Sequence, residues 1–331
     1  MTEAVAAILW LGLTAYAVLA GADFGGGVWD ILAAGPRAER QRRAVAEAMG
    51  PVWEANHVWL IFMIVGLFTA FPTAFAALAV ALYVPLTLAM IGIVLRGAAF
   101  AFRAHAREAV GPLEPWGAVF GAASILTPAF LGAAAAAVAA GAIRAPGGHV
   151  AGGPLAGWTT PLAADMALLA VSLCAYLAAT YLMVETEHDA ALAADFRRRA
   201  TWAGAASGAF ALAGLALAWF EARPLLDELL GRGLPLLLLA LVNGPVALVA
   251  VRRGRPRAAR LAVAAQVVLV LWAWALGQWP YVVPPDLTFP GTASPDATLA
   301  LLLVVIAAGM ALLLPSLYVL FRVFKGRNPV W

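Results

Sequence analysis

Four ionisable side chains stand where an otherwise lipid-like sequence should carry none. Asp23 and Asp30 close the apolar run AVAAILWLGLTAYAVLA within the stretch GADFGGGVWD, and Glu54 and His57 open the next run in GPVWEANHVWLIF. A carboxylate at mid-bilayer costs about 2.5–3.5 kcal/mol, so an acid inside an apolar helix defaults to an ion or proton pathway. An imidazole beside carboxylates suits the same task, because its charge changes between about pH 5 and 8. Glu54 and His57 are three positions apart and share a helical face. Asp23 and Asp30, seven apart, lie on roughly one face. The pattern predicts a buried, hydrated proton pathway built from Asp23 and Glu54 with His57. Asp30 borders a basic loop and reads as a helix-end charge that reaches water.

Neighbouring residues would support that cluster. Gly21 and Gly25 form a small-xxx-small face that lets another helix pack closely beside the acid, with packing alone as the equal alternative. Trp53 and Trp59, with Trp10 and Trp202, lie near span ends as an aromatic belt. Arg96 ends the apolar run LYVPLTLAMIGIVL, where it either snorkels or neutralises an acid on a neighbouring helix. The segment ETEHDAALAADFRRR reads as solvated, and Asn243 and Gln266 as polar packing within spans. His57 could ligate a haem, yet His105, His149 and His188 fall in or near connectors, leaving no second axial histidine. A hydrogen-bonded or proton-relaying His57 is the preferred reading.

The elements that must position these groups follow from composition. The 331 residues are 64% hydrophobic and 12% charged, with mean hydropathy +0.89. Soluble domains carry roughly 25% charged residues, so this is an all-α polytopic membrane protein. Cys174 is the only cysteine, which excludes an intrachain disulfide and any cysteine-clustered metal site. A span needs about 20 apolar residues. Nine segments qualify: 4–29, 51–71, 74–101, 115–141, 161–184, 201–220, 234–251, 259–278 and 297–321. Pro51 suits a first helical position in the second. The first segment reads as a retained anchor, since its leading MTE is acidic and the basic cluster PRAERQRR follows it. No strand alternation is evident, so the glycines of GADFGGG are not a phosphate loop.

Charge placement orients the spans. With nine crossings, 18 of the 21 Lys and Arg fall on one face, Arg107 and Arg327 among them, and only Arg144, Arg223 and Arg232 on the other. The positive-inside rule then puts the N-terminus outside and the C-terminus in the cytoplasm. Asp23 lies about 28 Å along its helix from the outer face, at 1.5 Å per residue. Glu54 opens the returning helix, so both acids belong to the cytoplasmic half.

At GADFGGGVWD together with GPVWEANHVW the chain resembles subunit II of the cytochrome bd-type quinol oxidases, and the likeness continues through FPTAFAALA and GIVLRGAAFAFR. The resemblance implies two four-helix bundles plus a ninth, peripheral helix. On that plan residues 1–141 form the first bundle, 142–160 an outer loop, and 161–279 the second bundle. Residues 280–331 are then a second outer loop, the ninth helix and a cytoplasmic tail. It also implies a partner, subunit I, of related fold, which carries haem b, haem d and the quinol site, while subunit II binds no haem or metal of its own. Such a complex, in the bacterial cytoplasmic membrane, oxidises quinol at the outer face and reduces O₂ with cytoplasmic protons. The resemblance leaves open a small accessory subunit and a structural quinone or lipid, and it implies no nucleic acid.

Within the family pattern Asp23 matches the first-helix acid, and Trp53, Glu54, Asn56 and Trp59 match the second-helix motif. The family more commonly has Asp where Glu54 stands and Gln where His57 stands, and often another acid at the place of Ala20. GADFGGG and WEANH look closer to the branch called cyanide-insensitive. The competing classes are a secondary transporter, which would show inverted repeats and interrupted helices at the midplane, and a membrane scaffold without proton transfer.

Overall fold

The computed structural model describes residues 1–49, 53–105 and 114–325. Pro51, Arg107 and Arg327 lie outside the described residues, as does the side chain of Trp53. The axis of the molecule is α1 (Thr2–Ile31), whose residues from Ala20 to Asp30 are all buried. A helix that is apolar all round and ringed by others has no stripe to turn outward. It is followed by a basic amphipathic helix, α2 (Ala38–Met49), within the arginine-rich connector where no element was expected. The second span is α3 (Trp53–Ala70).

The segment 74–101, expected as one helix, is two: α4 (Pro72–Ala81) and α5 (Tyr83–His105), parted at Leu82. Pro85 supplies the reason. It has no N–H to return to Ala81, and its ring crowds that carbonyl. The next spans are α6 (Glu114–Ala139) and α7 (Pro161–Glu185). Then comes α8 (Ala190–Glu221), which starts well before the expected 201 because Asp189 caps it by accepting from the Ala191 and Leu192 N–H groups. At 32 residues it is about 48 Å long, so its first turns stand clear of the hydrocarbon.

A short amphipathic helix, α9 (Arg223–Leu230), leads to α10 (Leu234–Arg252) and α11 (Pro256–Gln278). The following connector is not featureless. It forms an antiparallel pair, β1 (Tyr281–Val283) with β2 (Leu287–Thr288), and one turn of helix, α12 (Phe289–Thr292). The last span is α13 (Asp296–Lys325). Among the described residues eight helices are long and apolar enough to span a membrane, and nine if α2 and α3 are taken as one bent pair.

Among the described residues α1 packs against α3 and α6, and α6 against α5, as a first group of helices, while α7, α8, α10 and α11 pack on one another and α7 also lies closely on α1 and α6. Helix α13 lies against α3 and α1. One end of the molecule gathers the arginines of α2, of the end of α5, of the start of α8 and of the α10–α11 turn. At the other end the long connectors meet: Arg144 makes two 3.0 Å bonds to Asp286, and the Ser294 N–H donates to the Ala70 carbonyl at 2.8 Å.

Candidate functional site

Asp23 lies deep in the first group of helices, 5% exposed. One of its carboxylate oxygens accepts from Asn56 Nδ2 at 2.7 Å. The backbone around it is locked from three sides by the glycines that follow. A Cβ on Gly25 would collide with the Cys174 carbonyl of α7, one on Gly26 with Met49 of α2, and one on Gly27 with Ser124 of α6. Gly21 faces the same helix as Gly25, 3.3 Å from Leu177 Cδ1 at its would-be Cβ. The small-residue face therefore receives α7, as the spacing suggested.

Arg96 does not snorkel. It is 2% exposed and lies between the rings of Phe24 and Phe120, 5.1 and 5.3 Å from their centroids. Its Nη2 donates to the Asp23 carbonyl at 3.0 Å and its Nε to Ser124 Oγ at 3.2 Å. Two turns nearer the arginine-rich end α5 meets α1 again, this time through a carboxylate. Asp30 is buried and takes a two-pronged bond from Arg103 at 2.9 and 3.1 Å, and Arg103 in turn stacks 5.4 Å over Phe120. The expectation that Asp30 is merely wet is therefore corrected. Helices α1 and α5 thus meet twice at the same seven-residue spacing, Arg96 on the Asp23 backbone carbonyl and Arg103 on the Asp30 carboxylate, with Phe120 between the two arginines. Seven residues is close to two turns, so equal spacing on two helices builds a ladder.

The helix-2 motif divides between two faces. Asn56 points at Asp23, and His57 packs edge-on against Tyr16 and Phe24, 5.9 and 5.8 Å between centroids. Trp59 packs beside the same group, edge-on to Phe62 at 6.3 Å. Glu54 is exposed. Two residues of helix turn through about 200°, so a helix that aims Asn56 at Asp23 aims Glu54 away from it. The structure brings Asp23 together with Asn56, Arg96 and the His57 neighbourhood, and it leaves Glu54 on the chain's surface. There Glu54 heads a line of exposed apolar side chains on α3: Val58, Ile61, Val65 and Phe68.

A second polar network closes the arginine-rich end of α1. Arg199 of α8 donates to the Trp29 and Leu32 carbonyls and to Gln41 Oε1, the last at 2.7 Å. Gln41 of α2 and Arg37, in the turn just before it, both bond Asp195 at 2.8 Å. The segment ETEHDAALAADFRRR is thus not simply solvated, since Asp195 is buried and held by α2. A cation over the last carbonyls of a helix is the favourable sign for its dipole. Sequence reasoning missed Arg103, Ser124, Gln41, Asp195 and Arg199. Only the repeated seven-residue spacing of Asp23/Asp30 and Arg96/Arg103 could have announced any of them. Asn243 and Gln266 bond each other at 2.9 Å, joining α10 to α11 as packing polar groups do. Among the described residues no three His, Cys, Asp or Glu side chains converge as a metal site.

Comparison with known proteins gives this geometry a context. Residues 1–324 match the family described as cytochrome bd terminal oxidase subunit II. A Bacillus subtilis (strain 168) protein named cytochrome bd ubiquinol oxidase subunit 2 is 31% identical over 126 residues, 38% of this chain and 36% of that protein. A second protein from the same organism, provisionally named a cytochrome bd menaquinol oxidase subunit II, is 23% identical over 98% of this chain and 96% of its own length. The fold is similar to that in the structure of bd oxidase from Geobacillus thermodenitrificans. The TM-score is 0.83 at 23% identity, covering 99% of each chain.

Proposed function

Because this chain belongs to the cytochrome bd terminal oxidase subunit II family, we propose that it is the non-catalytic second subunit of a quinol:O₂ oxidoreductase of the bacterial cytoplasmic membrane. In this reading it supports a haem-bearing subunit I and leads protons toward it from the arginine-rich, cytoplasmic end. Quinol and O₂ are substrates of the complex, haem b and haem d belong to subunit I, and the chain's own contribution is polar groups inside its first bundle (1–141). The outer loop (142–160), the second bundle (161–279) and the ninth helix with its flanks (280–331) brace that bundle. Glu54 and His57, standing where the family more commonly has Asp and Gln, support a place nearer the cyanide-insensitive branch.

One observation carries the proton reading: the buried Asp23 carboxylate, hydrogen-bonded to Asn56 and set two turns from Asp30 along α1. O₂ reduction inside lipid needs protons that hydrocarbon does not conduct, and a buried acid near one membrane face is the group that relays them. Glu54 takes a different part from Asp23. Exposed at the head of the apolar line on α3, it is placed to pass protons between this chain and a companion that covers that line. The same Asn56–Asp23 bond also favours a second reading, in which Asp23 only ties α1 to α3.

The two readings separate in the purified two-subunit complex. Glu54→Gln and Asp23→Asn are each expected to leave the haem spectrum unchanged and to slow quinol oxidase turnover on the order of 10²-fold, the scale of a lost proton-transfer group. Near-normal turnover in Glu54→Gln removes Glu54 from the pathway. Loss of complex assembly in Asp23→Asn makes that acid structural.

A further inference from the structure

The arginine-rich end holds a cleft that the proton reading does not use. It has a volume of about 380 Å³ and lies where the end of α7, the start of α8 and the α10–α11 turn meet, lined by Met183, Glu187, Ala190, Arg197, Gly254 and Pro256. We propose that this cleft binds the phosphate-bearing headgroup of an anionic phospholipid from the leaflet on that side.

Three observations combine. The first is charge. Glu187 is held by Arg257 at 3.3 Å, Asp189 by Arg40, and Asp195 by Arg37. These three acids are thus already matched by arginines. Arg197, which lines the cleft, makes no ion pair among the described residues. Gly254, at φ +64°, clears the space in which that guanidinium lies, its Nη1 being 3.3 Å from the site of a would-be Cβ.

The second is the backbone. Helix α11 begins at Pro256 on the wall of the cleft, and no side chain caps it. Pro256 itself has no N–H, but the first-turn N–H groups that follow it and the positive end of the dipole would favour an anion held there.

The third is depth. Trp202 is 71% exposed five residues beyond Arg197 on α8, about 7.5 Å further toward the hydrocarbon. Exposed tryptophans of membrane helices sit at the headgroup boundary, which puts Arg197 in the headgroup layer. Leu261, four residues after Arg257 and so on its face of α11, is 70% exposed. It offers acyl chains an apolar surface directly inward of the cationic one. With Glu187 matched by Arg257, Arg197 is the lining's unmatched charge, and a cation between spanning helices with apolar surface behind it suits a lipid phosphate.

The test uses the purified, delipidated oxidase complex in detergent, with bound lipid counted by native mass spectrometry and Tm followed in parallel. Dioleoyl-phosphatidylglycerol is expected to be retained in preference to dioleoyl-phosphatidylcholine and to raise Tm. Arg197→Gln is expected to weaken that retention about fivefold, the effect of one arginine near an anionic surface. Arg253→Gln, an exposed arginine of the same turn outside the lining, should change nothing. Equal retention in Arg197→Gln and the parent, or of the two lipids by the parent, overturns the proposal. Inorganic phosphate that stabilises the complex as well as phosphatidylglycerol does would make this a free-phosphate site and would also overturn it. None of these readouts depends on whether Asp23 or Glu54 carries protons.

Discussion

Replacing Gly25 with alanine adds one methyl group where α1 and α7 are in backbone contact. The new Cβ would lie 2.7 Å from Ala178 Cβ, and nearer still to the Cys174 carbonyl, where real Cβ atoms essentially never come within 3.0 Å of a neighbour. Two of the three obstructing atoms are backbone, so no rotamer change relieves them, and the helices must part by at least roughly 1 Å. A gap of that size forfeits about a quarter to a half of the dispersion attraction along the seam. Overpacking of this kind costs about 1–3 kcal/mol, which in a chain this large corresponds to a fall in Tm of at most about 2–4 °C per kcal/mol. The damage would not stay local, because Asp23 is two residues away and its 2.7 Å bond from Asn56 depends on where α1 sits.

The assay is thermal unfolding of the purified complex, with quinol oxidase turnover measured on the same sample. Gly26→Ala is the internal control. Its Cβ would meet the far end of the Met49 side chain, which can swing aside, so it should cost less than about 1 kcal/mol. A Gly25→Ala complex that melts with the parent, or no lower than Gly26→Ala, would refute the close-approach argument for this motif.

Asp30→Asn leaves Arg103 facing a neutral partner in a pair whose side chains are 4% and 24% exposed. The loss should fall toward the lower end of about 3–5 kcal/mol, and the double variant with Arg103→Gln should lose less than the two singles together, read by the same melting assay. At the other end of the molecule, the Arg144 guanidinium and the Ala145 N–H hold the Asp286 carboxyl below the usual carboxylate range. A depressed carboxyl contributes stability above its unfolded pKa of about 3.9, and that contribution is lost as pH falls through the folded value. Protection from hydrogen exchange in residues 142–160 and 281–288, taken relative to the intrinsic exchange rate at each pH, should therefore fall below about pH 4 in the parent, while Arg144→Gln should be poorly protected already at pH 7. Protection that persists unchanged to about pH 3 would show that the pair does not hold these loops.

Sequence alone determined the solvent, a span count within the eight or nine that the described helices support, and the presence of acids at Asp23, Asp30 and Glu54. Each of these is a property of composition or of spacing along one chain, and hydropathy over about 20 residues reads it directly. Local chemistry also announced the close packing at Gly21 and Gly25, since only small residues let helix backbones touch. The break at Leu82 was equally legible from Pro85, although the apolar run hid it. The partners of the acids were not legible. That Asn56 rather than Glu54 meets Asp23, and that Arg103 of α5 and Asp195 of α8 complete buried pairs, depends on how each helix is rotated about its axis and which helix stands beside it. A helix that is apolar on every side, as α1 is, carries no stripe to report that rotation. Tertiary packing decided it, through three successive glycines that fit α1 against α7, α2 and α6 and so aim the carboxylates of Asp23 and Asp30.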